Sequence, residues 1–173
     1  MTDSKHPILA HIEQNLSGRE AEQKRKFAEI LRLSAIEAEQ KLAETEAAYD
    51  LIIADGTLNT SADPKSTLLT LGKMLKGDGL LLASLLGAES FKELDLQLPL
   101  PDAQSVGDLL QHLKFGLPMV DRDVLTLAYD DHASLEHDLI WLFKELNLDI
   151  DLKNKITNRT PLNITLEVLY VTA

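Results

Sequence analysis

The chain has no cysteine among its 173 residues. That excludes disulfides, thiolate zinc sites, iron–sulfur ligation and a cysteine nucleophile, and it fits a reducing compartment. Long apolar runs are missing too. No stretch approaches the roughly 18 apolar residues that a membrane-spanning helix needs, and the opening Met1-Thr2-Asp3-Ser4-Lys5-His6-Pro7 lacks the apolar core of a secretory signal. A cytoplasmic protein without a membrane span is expected. Positive charge is in deficit: 17 Lys and Arg stand against 28 Asp and Glu, for a net charge of −11. Such a balance opposes nucleic-acid binding, which rests on neutralising phosphates. Glycine is scarce before position 56, where only Gly18 occurs. There is no Gly-x-Ser-x-Gly, no P-loop and no His-Glu-x-x-His.

What is present is a core-forming composition, 45% apolar, in a length that suits one domain. The charge breaks near residue 47. Residues 1–46 carry 9 acids and 7 bases, whereas residues 47–173 carry 19 and 10. We therefore divide the chain into a helical N-terminal segment, 1–46, and an α/β domain, 47–173. A short helix is expected from Pro7 to Leu16, then a stop and restart at Ser17-Gly18-Arg19-Glu20, where Ser17 and Glu20 have capping-box spacing. The following stretch to Glu46 is preferred as one helix. Phe27, Leu31, Ala35, Ala38 and Leu42 would form its narrow apolar face. A short strand at Ile30 to Leu33 is the competing reading.

At Tyr49 the pattern changes. Leu51-Ile52-Ile53-Ala54, closed by Asp55-Gly56, reads as a buried parallel strand. Asp63-Pro64 starts a helix carrying Leu68, Leu71 and Met74. Gly77-Asp78-Gly79 reads as the stop of that helix. Leu80 to Leu86 is a second buried strand, which completes a right-handed βαβ unit. Further on we expect a helix from Ser105 to Lys114, a strand from Met119 to Tyr129 and a helix from Ser134 to Asn147 with Leu135, Leu139, Leu142, Phe143 and Leu146 inward. Residues 148–161 read as an exposed loop, and Asn163 to Thr172 as a last strand with Ile164, Leu166, Val168 and Tyr170 on one face. Only His132 and Glu136 have helical ligand spacing, so no metal site is expected. His6, His11 and His112 read as surface residues and Trp141 as core or rim packing.

Tyr49-Asp50-Leu51-Ile52-Ile53-Ala54-Asp55, followed by a helix and Leu75-Lys76-Gly77-Asp78-Gly79-Leu80, resembles the fourth and fifth strands of class I S-adenosylmethionine-dependent methyltransferases. Ala83-Ser84-Leu85-Leu86-Gly87, Phe91-Lys92-Glu93-Leu94, Val106-Gly107-Asp108-Leu109-Leu110 and Phe115 to Asp123 are similar to stretches of the BioC group. That group includes the malonyl-acyl-carrier-protein methyltransferase and the methyltransferase-like assembly factors of respiratory complex I. The resemblance covers the C-terminal half of such a protein, about residues 47–173. It implies a partial Rossmann-like sheet with strands resembling 4-5-7-6, the last antiparallel, and an α-helical N-terminal segment in place of the first half.

The resemblance implies S-adenosylmethionine as cofactor, but the Gly-rich turn and the ribose-binding carboxylate of such enzymes have no counterpart before Asp50. Asp55, Gly56 and Thr57, at the crevice end of the strand, are the candidate cofactor contacts, and Leu58 and Asn59 the candidate substrate contacts. Asp-Gly serves equally as an ordinary strand-end turn. Without a first strand, Leu51 to Ala54 would be an exposed edge. A homodimer or a full-length methyltransferase partner would then meet that edge, or the helix around Phe27 to Leu42. The leading expectation is a non-catalytic binding or assembly module. The alternative is an active methyltransferase, acting on a carrier protein, small molecule or protein, whose donor site a dimer or partner completes.

Overall fold

The computed structural model describes residues 6–34, 49–56, 58–59, 63–96, 98–146, 148, 150–152 and 155–173. Helix α1 (Pro7–Glu22) starts at His6, whose side chain accepts a hydrogen bond from the Ile8 amide at 3.1 Å, and has proline in its first turn. It runs unbroken through Ser17 and Gly18, so the expected stop and restart does not occur. The physical reason is tertiary. Leu9, Ile12 and Leu16 are buried along one face, and each such side chain contributes about 1.5–3 kcal/mol. Glu20, the would-be box partner, instead holds Arg32 through both carboxylate oxygens, at 2.9 and 2.7 Å.

The expected helix across residues 19–46 is corrected at its centre. Ile30–Ser34 is a strand, β1, parallel to β2 (Tyr49–Asp55). The strand reading prevails because Leu31 and Leu33 are buried while Ile30 is exposed, a period of two, and because β2 offers a row of backbone groups that a helix could not satisfy. Asp50 fixes the entry: its Oδ2 accepts from the Ala28 and Glu29 amides at 3.1 and 2.9 Å, and its Oδ1 binds Lys76 Nζ at 2.7 Å. Phe27 therefore lies outside any helix, with the Arg25 guanidinium over its ring at 4.7 Å. Ala35, Ala38 and Leu42, the rest of the expected apolar face, fall outside the described residues.

Residues 51–54 are not an open edge. They pair with β1 on one side and with β3 (Leu75–Leu86) on the other. The sheet order is β1-β2-β3-β5-β4, with β4 (Met119–Ala128) and β5 (Asn163–Thr172) antiparallel to each other and β5 antiparallel to β3. The last four positions are those that the resemblance implies for strands 4-5-7-6. Helix α2 (Pro64–Met74) ends before the glycine pair, and β3 begins at once. Gly77 and Gly79 thus belong to an irregular strand start rather than a helix stop. The pairs Tyr49 with Leu75 and Leu51 with Leu80 leave three extra residues on β3. A Cβ on Gly79 would press on Leu75 and on the Lys76 carbonyl, which is why glycine suits this bulge.

Helix α3 (Ala103–His112) is capped by Asp102, which accepts from the Ser105 amide at 2.7 Å, and α4 (His132–Glu145) by Asp131, which accepts from Ser134 at 2.7 Å. Two cores result, one on each face of the sheet. Leu9, Ile12 and Leu16 of α1 join Leu135, Leu139, Leu142 and Phe143 of α4 over one face, and α2 and α3 cover the other. His6 is buried rather than superficial: its ring lies 5.0 Å from Trp141, and Nε2 meets Asp138 Oδ1 at 3.1 Å. Leu152, within the expected exposed loop, is also core.

Candidate functional site

The carboxyl ends of the parallel strands form the candidate site. Apolar side chains fix the strands in register, and where the runs end, polar ones come level. Ser34 pairs with Asp55, Asp55 with Ser84, Ser84 with Tyr170, and Tyr170 with Asp121. One polar row therefore crosses all five strands on the face that α1 covers. The Ser84 hydroxyl donates to Asp55 Oδ1 at 2.7 Å and accepts from the Gly56 amide at 3.1 Å, an amide that also reaches the Ser84 carbonyl at 3.1 Å. Gly56 adopts φ 63°, which glycine tolerates without strain. From α1, Arg19 lies 4.9 Å from the Tyr170 ring centre and binds Asp121 Oδ2 at 2.5 Å. Burial first of all, with the Asp123 carboxylate next, pushes the Tyr170 hydroxyl up to about 12.

The segment then turns. Asn59 donates its amide to the Gly56 carbonyl at 3.0 Å, and its side-chain oxygen accepts from the Leu86 amide at 2.7 Å. Leu58 is buried in the core shared with α2 and α3. The expected site residues are thus separated into two groups. Asp55 and Gly56 face Ser84 in the polar row. Leu58 and Asn59 line a cavity of about 350 Å³ between the N-terminal ends of α2 and α3. Thr57 lies outside the described residues. The cavity walls are mainly leucine, valine and proline, and the loop through Leu98 and Pro101 closes one side, tied down by the Ala88 amide on the Pro101 carbonyl at 3.0 Å.

Ser84 is the residue that sequence reasoning passed over. Its signal was there: a single hydroxyl inside the apolar run from Leu80 to Leu86. Among the described residues no group of three or more His, Asp or Glu is placed to hold a metal ion, and no helix is long and apolar enough to cross a membrane.

The sheet and its covering helices have the Rossmann-like methyltransferase fold. Two solved structures align over nearly their whole length. The YcgJ protein of Bacillus subtilis matches with a TM-score of 0.60 at 9% identity, covering 92% of this chain and 97% of that one. A Bacillus halodurans protein described as a candidate methyltransferase matches with a TM-score of 0.56 at 10% identity, covering 92% and 98%. No family model matches the chain. In sequence it is similar to malonyl-[acyl-carrier protein] O-methyltransferases. It is 33% identical to enzyme 1 of Coxiella burnetii over 98 residues, which is 52% of this chain and 35% of that protein. It is 31% identical to that of Xylella fastidiosa over 108 residues, or 57% and 37%. The chain therefore spans little more than a third of the length of these curated relatives.

Proposed function

We propose that this protein is a methyltransferase-like protein of the BioC type that does not hold the methyl donor by itself and works as a binding or assembly module. One observation carries the reading. Ser34 ends β1 and Tyr49 opens β2, and the fourteen residues between them contain no glycine. A parallel crossover alone takes about a dozen or more residues, so this link has no length left for a second and third strand. In the enzymes that the chain resembles, the Gly-rich turn follows the first strand and the ribose-binding carboxylate ends the second. Asp55 does not replace that carboxylate freely, because Ser84 already engages its Oδ1. A partner, either a second copy or a full-length methyltransferase, would meet the outer edge of β1 in place of the covered residues 51–54.

The second reading is an active methyltransferase whose donor site is completed by such a partner. The observation in its favour is the cavity beside Leu58 and Asn59. There an acceptor would be held, and catalysis would come from proximity and orientation. Titration calorimetry of the folded protein with S-adenosylmethionine and S-adenosylhomocysteine tests the first reading against one in which a second copy of the chain completes the donor site. No binding at micromolar concentrations is expected from the chain alone, and micromolar affinity for either would overturn the first reading.

A further inference from the structure

We propose that the protein binds a small aromatic anion, a flat apolar ring carrying a carboxylate, sulfonate or phosphate, in a second cavity at the amino end of its parallel strands. This cavity is separate from the one beside Asn59, and the proposal does not rest on the reading of the chain as a binding module. It lies where α2 and α3 end, β3 begins and β5 finishes. Its volume, about 350 Å³, falls within the range of small-molecule sites, about 300–1,000 Å³. The walls are largely apolar. Phe115 supplies an aromatic ring, set so close over Gly72 that a Cβ there would come within 3.2 Å of it. Leu69, at the rim, is 40% exposed. A flat ligand would take both side chains out of water.

Charge at the rim sets the sign of the ligand. Lys73, Lys76 and Lys114 line this cavity, in a chain whose net charge is −11, and no Asp or Glu lines it among the described residues. The cavity beside Asn59, by contrast, carries Asp63, and the groove along α1 carries Glu22 and Asp121. Lys76 is paired with Asp50 at 2.7 Å. Lys73 and Lys114 have no ion-pair partner among the described residues. Ala173 also lines the cavity, and its oxygen, bonded to the Leu81 amide at 2.7 Å, offsets at most one of those two charges. Lys73, in the last turn of α2, complements the carbonyl end of that helix as well. Lys114 needs a different reason. It follows α3 with φ 62°, the left-handed conformation that glycine usually takes after a helix. A lysine within the last turn of α3 would serve the helix dipole without that strain. A role for its ammonium at the cavity accounts for the strained position, and a carboxylate, sulfonate or phosphate oxygen is the matching acceptor.

The test is titration calorimetry of the full chain with 2-naphthoate, with its neutral amide 2-naphthamide, and with acetate. Naphthoate is expected to bind at least tenfold more tightly than either of the others. Lys114→Gly is expected to weaken naphthoate at least fivefold and leave naphthamide unchanged, without lowering the melting temperature, because glycine adopts the left-handed conformation freely. Should that variant unfold the chain, Lys73→Gln, at an exposed position of α2, carries the same test and the same expected loss. Methyl chemical-shift changes on adding naphthoate to the parent are expected at Leu69, Leu75 and Leu113. Equal affinity for acid and amide, equal affinity for naphthoate and acetate, shifts centred on Leu58 and Val106, folded variants that bind naphthoate like the parent, or no binding would each overturn the proposal. The donor titration is independent, since S-adenosylmethionine binding or its failure leaves this assignment untouched.

Discussion

At the scale of single residues, the site depends on a hydroxyl that spans two elements. Ser84 is buried, donates to Asp55 and accepts from Gly56. Ser84→Ala removes a buried hydrogen bond to a carboxylate and one of the two acceptors of the Gly56 amide. A hydrogen bond to a charged group contributes about 1.5–3 kcal/mol, so a loss at or below that size is expected in urea unfolding, read from the midpoint at unchanged slope. Asp55→Asn keeps an acceptor facing Ser84 and is expected to cost less than Ser84→Ala; the reverse order would deny that this hydrogen bond holds the turn. The site was partly legible in the sequence. Asp55-Gly56 announces a strand-end turn, and Leu58 and Asn59 follow at cavity-facing positions. What could not be read was that Asn59 reaches Leu86 and Asp55 reaches Ser84, because both partners are 27 or more residues away and depend on strand register.

At the scale of elements, β1 is where local pattern and tertiary outcome part. A helix over these residues puts Phe27 and Leu31 on one face and Leu33 off it, whereas a strand puts Leu31 and Leu33 on the same face. Both are buried, at 6% and 2% exposure. Leu33→Ala is therefore expected to destabilise by about 2–5 kcal/mol, the usual loss for a leucine truncated in a core. A change under 0.5 kcal/mol by thermal or urea unfolding would restore the helix reading. The ambiguity is physical. Ile30-Leu31-Arg32-Leu33 supports either period over so short a length, and the deciding contribution, the hydrogen bonds along β2, comes from a segment beyond a fourteen-residue link. Elements of greater length were read more easily. The inward set of α4 and the bounds of β5 match expectation because ten or more residues repeat one period.

At the scale of the whole molecule, one carboxylate joins three strands. Asp50 ties the approach to β1, its own strand and Lys76 of β3 together, and the Lys76 ammonium, with the Glu29 and Ala28 amides, lowers its pKa from 3.8 to about 2. A depressed carboxyl contributes stability above its unfolded pKa and loses it as pH falls through the folded one. The melting temperature followed by circular dichroism is therefore expected to drop between about pH 4 and pH 2, and Asp50→Asn to lie below the parent near neutral pH with a shallower fall over that window. Parallel curves for the two proteins would remove Asp50 from the acid response. The joint also keeps the polar row level, because that row is aligned only while β1, β2 and β3 keep their register.

The sequence by itself determined the two-sided burial of β2 and β3, the helix starts at Asp63 and the absence of any thiol chemistry. These follow from residue type and short-range spacing, which act wherever the chain goes. It also determined that no glycine stands between residues 35 and 48. Only the tertiary structure decided that Ile30–Ser34 is a strand, that α1 runs through Gly18, that His6 is buried against Trp141 and that Asn59 lines a cavity between two helix ends. Each of these depends on a partner supplied by a distant segment: an open strand edge, a core to cover, an aromatic ring and two helix ends. Local preference at those positions is worth a few tenths of a kcal/mol to about 1 kcal/mol, and burial or pairing with a distant partner exceeds it.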